Sequence, residues 1–194
     1  ELGKLLAAAP SGRVTAEAAA RLVVNEKKEY GSDFVDAVAA RRLPESLALL
    51  DRLLSGDEFS AFRPQAGGDA GGRKGPKGDG AFFPLLGLLA GELRRMLALR
   101  AAAVDRGGGG RRPDYRAFVD QTLPALRKPG AGLPGAAVDG HPFVLHRSFL
   151  AAQAWTVPQL AAAVCALEDV DRGVKTGVGP GRELLEAFLL TRLR

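Results

Sequence analysis

Isoleucine is absent from this chain, asparagine and cysteine occur once each, and aromatic residues make up only 6%. Val and Thr together add just 19 residues. Sheets favour β-branched and aromatic side chains, so this scarcity excludes a mostly β fold. The single cysteine, Cys165, cannot form an intrachain disulfide, and a reducing cytoplasm is the compartment expected. Cys165 lies in the apolar stretch Ala161–Leu167 and is expected to pack there rather than act as a nucleophile. No signal peptide is visible, and long apolar runs are missing too. The nearest approach to a membrane span is Ser148–Leu167, which is uncharged but carries Gln153, Thr156, Pro158 and Gln159. A helix-start signal in its middle predicts two helices there and no membrane contact.

What is abundant points one way. Ala (33) and Leu (29) lead the 194 residues, and both stand high on the helix scale. The hydrophobic content of 46% is ample for a core, which excludes wholesale disorder. An all-α fold is therefore expected. Net charge is +5, with Arg outnumbering Lys 20 to 7. The charges are spread along the chain without a basic arm, which permits contact with nucleic acid but does not require it.

Gly and Pro punctuate the sequence. Arg63–Gly80 holds seven Gly and two Pro with no Val, Leu or aromatic residue, and reads as a flexible linker. Gly107–Pro113 and Lys128–Gly140 are shorter breaks of the same kind. The predicted organisation is a small helical bundle over residues 1–62, the linker over 63–80, and a bundle of about five helices over 81–194. In the first bundle, Glu1–Ala9 is a short apolar segment, Thr15 caps Ala16–Val24, and Ser32 caps a helix burying Phe34, Val35, Val38 and Ala39. Pro44 opens the next helix, with Leu47, Leu49, Leu50, Leu53 and Leu54 on one face. In the second, Phe82, Leu85, Leu86, Leu89, Leu93, Met96 and Leu97 keep a helical stripe. Tyr115–Leu126 predicts a helix kinked or broken near Pro124. Pro142 opens a third helix reaching Trp155, and Thr156–Gln159 is a capping box for a fourth, ending at Gly177. Glu183–Arg194 is the last. The chain opens on Glu1 within an apparent helix, as a piece excised from something longer would.

Chemistry-bearing motifs are few. His141 and His146 are five apart, which does not stack two ligands on a helix face, and no Cys or acidic pair completes a metal set. No nucleophile–base pair is apparent, so no catalytic residue is assigned and a small-molecule hydrolase has no candidate machinery. Gly72–Gly75 lacks the hydroxyl, spacing and strand of a phosphate-binding loop, and Gly173–Thr176 ends a helix instead of opening one. No cofactor is expected. Trp155 is expected in the core, and Asp171 with Lys175 as an i, i+4 pair.

The order of the signals resembles a known family. Asp33–Val38 followed by Ser46–Leu54 is similar to the lid-domain helix pair of the delta subunit of bacterial DNA polymerase III. The Leu-rich Leu85–Leu99, the helix start His141-Pro142-Phe143, the helix end Asp171–Gly177 and the terminal Glu183–Leu193 resemble successive parts of that family's collar domain. Glu1–Leu5 is similar to the segment entering its lid. The resemblance implies a subunit of the polymerase holoenzyme, a nucleotidyltransferase complex, whose collar packs against the collars of other clamp-loader subunits. It also implies contact with the sliding clamp through an N-terminal domain not present here, primed DNA in the assembled complex, and no nucleotide bound by this subunit. Arg94, Arg95, Lys175 and Arg182 are the expected interaction residues, the arginines at the rim of an exposed apolar strip. A second reading is a helix-turn-helix DNA-binding regulator using His141–Trp155 as recognition helix, for which only His146 and Arg147 are long polar readers.

Overall fold

The computed structural model describes residues 31–55, 79–105, 112–128 and 133–194, and among these the only regular elements are helices. The chain divides after Tyr30, and every described residue belongs to the second unit, Gly31–Arg194. The expected apolar segment Glu1–Ala9 and the expected helix Ala16–Val24 with its Thr15 cap lie outside the described residues, as do residues 63–78 of the expected linker.

Helix α1 spans Gly31–Ala39 and α2 spans Leu43–Ser55. Phe34, Val35, Val38 and Ala39 are all buried, as their spacing predicts. Ser32 lies inside the first turn of α1 instead of capping it. The helix closes at Arg41, whose N–H donates to the Val38 carbonyl at 3.0 Å while the Arg42 N–H donates to Ala37 at 2.9 Å. This closure needs a left-handed residue, usually glycine, yet Arg41 adopts φ 59°.

Helix α3, Asp79–Asp105, is the strut on which the unit is built. At 27 residues it is roughly 40 Å long. It begins inside the stretch expected to be linker. The buried side chains of its N-terminal two-thirds, Phe82 through Met96, join those of α1 and α2 in one apolar cluster. Three later helices complete the framework: α7 (Pro142–Ala152), α8 (Val157–Lys175) and α9 (Gly181–Arg192). Trp155, Leu160, Leu167, Leu185 and Leu189 belong to the same cluster. The bundle boundary expected at 63–80 is thus corrected, because α1 and α2 lean on α3 and α9 and share their core. Two short amphipathic helices cannot cover their own apolar faces, so they complete the larger body.

The α7–α8 junction turns through 106° at the break expected within Ser148–Leu167. Thr156 Oγ1 accepts from the Gln159 N–H and the Gln159 side chain accepts from the Thr156 N–H, the reciprocal box expected from the sequence. Among the described residues no single helix is long and apolar enough to cross a membrane.

A second apolar cluster gathers at the far end of α3. Here α4 (Tyr115–Ala117) runs into a π turn, Phe118–Thr122, and on into α5 (Leu123–Arg127). Pro124 has no N–H to give and its ring would press on the carbonyl one turn back. The chain widens instead, and the Leu123 N–H reaches back to Phe118, five residues earlier. The break expected near Pro124 is this turn. A single-turn helix α6, Gly135–Val138, lies within the stretch expected as a Gly-rich break and closes the cluster with Val138.

Candidate functional site

The four expected interaction residues sit on three helices, each held by carboxylates of its own chain. Arg94 of α3 meets Glu168 of α8 at 3.5 Å, with both side chains more than half exposed. Arg95 pairs with Glu92 at 3.0 Å within α3, and its Nε is buried with no hydrogen-bond partner. Lys175 pairs with Asp171 at 2.6 Å, the i, i+4 contact anticipated, and its Nζ stands 6.0 Å from the centre of the Phe83 ring. Arg182 bonds Asp51 of α2 at 2.6 Å and Glu186 at 2.9 Å, tying α9 to α2. Its hydrogen bonds to Glu186 and then Asp51 push its pKa up. Arg94 remains the most surface-facing of the three arginines, whereas Arg95 is turned inward.

Large hydrophobic side chains stand exposed at several places. Phe83, Leu88, Val178 and Leu190 belong to the surface of α3, α9 and the α8–α9 turn, and Val178 is 74% exposed. At the other end, Tyr115 and Phe143 meet edge to face with ring centres 6.1 Å apart.

The His141–Trp155 segment gives little to a base-reading role. His141 caps α7 through Nδ1, which accepts from the Phe143 N–H at 3.2 Å. His146 is drawn inward. Its ring lies 5.1 Å from Phe118, and its Nε2 is 2.9 Å from the Pro113 carbonyl, which can only accept, so Nε2 carries the proton. Arg147 pairs with Asp36 of α1 at 2.8 Å. Burial, foremost, raises the Asp36 pKa, with Glu92 and Asp33 adding to it and Arg147 opposing. Trp155 is core, as expected, with its indole N–H donating to the Ala39 carbonyl at 2.8 Å.

Cys165 is corrected from the packing role expected of it. Leu160, Ala163, Leu167 and Val170 define the buried face of α8, and Cys165 falls on the opposite side, exposed. Among the described residues no group of three or more His, Cys, Asp or Glu is placed to hold a metal ion.

One concavity lies beside the π turn, a cleft of about 430 Å³. Its base is Ala102, Ala103, Leu126 and Phe149, and its sides are Ala117 and Ala125. Arg112, Gln121 and Thr122 supply its polar groups. Sequence reading missed it, because it depends on where the π turn rotates residues 121 and 122. The Pro124 break was the only signal of that change.

Comparison of the chain with protein-family models, with curated proteins and with solved structures gives no match.

Proposed function

We propose that the chain is part of a clamp-loader subunit similar to the delta subunit of bacterial DNA polymerase III, serving DNA replication by packing against other loader subunits while a sliding clamp is loaded onto primed DNA. What carries the reading is the order of the resembling pieces together with their local roles. Asp33–Val38 lies in α1 and Ser46–Leu54 in α2, and Leu85–Leu99 forms most of α3. His141 caps a helix whose first residue is Pro142. Asp171 and Lys175 pair in the last turn of α8, and Gly177 follows with φ 74°. Glu183 through Arg192 lies in the terminal helix. Each piece has an ordinary helix-building role, and their succession in one all-α unit is what favours the family.

A packing role also suits the surface. Phe83, Leu88, Val178 and Leu190 offer apolar area that a neighbouring helical subunit covers, in an interface of standard size, on the order of 1,600 Å². Arg94 stands as a rim charge because its long contact to Glu168 is exposed on both sides. Arg182 ties α9 to α2, and Lys175 pairs with Asp171 at the end of α8. The test is isolation of the native full-length protein from its own cells. ATPase and other loader subunits are expected to accompany it. Isolation with none of them, but with a defined DNA operator, contradicts the proposal and favours the regulator.

A further inference from the structure

We propose that the cleft beside the π turn binds a small carboxylic acid with an apolar body, its carboxylate held by Arg112 and the Gln121 and Thr122 side chains. This stands independently of the clamp-loader reading. The volume of about 430 Å³ falls within the range of small-molecule sites, roughly 300–1,000 Å³. Four of its lining residues are alanines, two on α3 and one on each side of the π turn, and their short side chains leave the space open. Phe149 and Leu126, both nearly fully buried, give it an apolar base.

Polar groups at the cleft are uncommitted. Arg95, Arg127 and Arg147 each engage a carboxylate or a backbone carbonyl. By contrast, among the described residues the side chains of Arg112, Gln121 and Thr122 have no hydrogen-bond or ion-pair partner. The strap that carries Arg112 is also pinned. Pro113, next in sequence, has its carbonyl on His146 Nε2, and Asp114 Oδ1 accepts from the Ala117 N–H at 2.7 Å. A guanidinium on a fixed backbone loses less freedom on binding, and its planar fork matches a carboxylate. One cation with two neutral donors above an apolar base suits a monoanion better than a phosphate ester, whose greater charge calls for several cations.

The test is a methyl-resolved NMR titration of the 194-residue chain, following Ala117, Ala125 and Thr122, with octanoate and then octanol as probes. Octanoate is expected to give saturable shifts at these methyls, and octanol, which has no charge, to bind about tenfold more weakly or less. Arg112→Met should weaken octanoate to the level of octanol while leaving octanol unchanged. Ala117→Leu should fill the cleft and remove both. The Arg112 variant changes an exposed strap residue and the octanol comparison needs no variant, so misfolding of Ala117→Leu leaves both outcomes readable. Absence of saturable octanoate shifts, equal binding of octanol, or unchanged octanoate binding by Arg112→Met overturns the proposal.

Discussion

The Arg41 guanidinium lies 4.7 Å from the centre of the Trp155 ring, and its Nη2 donates to the Arg194 carbonyl. One side chain thereby joins the end of α1, the α7–α8 turn and the chain just beyond α9. It does so from a left-handed backbone conformation at φ 59° that an L side chain adopts at a cost of about 1–2 kcal/mol. A cation over Trp contributes about 0.5–2 kcal/mol, and the hydrogen bond about another 1 kcal/mol. The strain and the contacts therefore nearly cancel.

Arg41→Gly is accordingly expected to change stability little, since it removes both the contacts and the strain. Arg41→Ala removes the contacts and keeps the strain, and should be about 1 kcal/mol less stable than Arg41→Gly. Urea unfolding of the two variants measures the difference. Equal stability of the pair contradicts the strain assigned to this turn.

A glycine carries the opposite lesson at the start of α9. A Cβ on Gly181 would meet Phe82 ring atoms at 2.8–3.0 Å. Phe82 is 2% exposed and stacks edge to face on Phe83, so its ring has little room to yield. Alanine gains at most about 1 kcal/mol in helix propensity, whereas overpacking costs about 1–3 kcal/mol. Gly181→Ala should lower stability on balance. Combining it with Phe82→Leu should cost less than the sum of the two single changes, measured as a double-mutant cycle. Strict additivity would place the contact elsewhere.

Much of this architecture was legible in the residues. Leu85, Leu89, Leu93 and Met96 recur at helical spacing and are fully buried, and the Thr156–Gln159 box occurs as expected. Local signals of this kind depend on a few neighbouring residues. Apart from the Ser32 cap, the misreadings involve distant partners. Nothing near Arg41 announces that Trp155 would hold it where glycine normally sits. The burial of α1 and α2 against α3 depends on residues far along the chain, so the Gly-rich stretch between them looked like a boundary. Cys165 has apolar neighbours on both sides, but the direction of α8 against α3 decides which face is buried. Arg94 and Arg182 could be located in sequence, whereas Glu168 and Asp51, the carboxylates they meet on other helices, lie many residues away.

Asp36 makes stability depend on pH. Burial raises its pKa from the ordinary aspartate value despite the Arg147 contact. The folded state then holds this proton more tightly than the unfolded chain does. Its contribution is fully present at low pH and is lost as pH rises from about 4 through the raised folded value. Asp36→Asn, which still offers Arg147 an acceptor, should lack this loss. Urea unfolding from acid to neutral pH should show the variant gaining on the parent protein as pH rises. A gap that instead moves in the parent's favour contradicts the assignment.

Participation in clamp loading, the function proposed for this chain, is tested most directly by reconstitution. Full-length native protein, ATPase subunits of a clamp loader and a sliding clamp would be combined with primed circular DNA and ATP, and clamps retained on the DNA counted. Loading is expected to require the full-length protein, and to be lost when the part corresponding to Gly31–Arg194 is deleted. Undiminished loading without the protein, or with that part removed, would contradict the account.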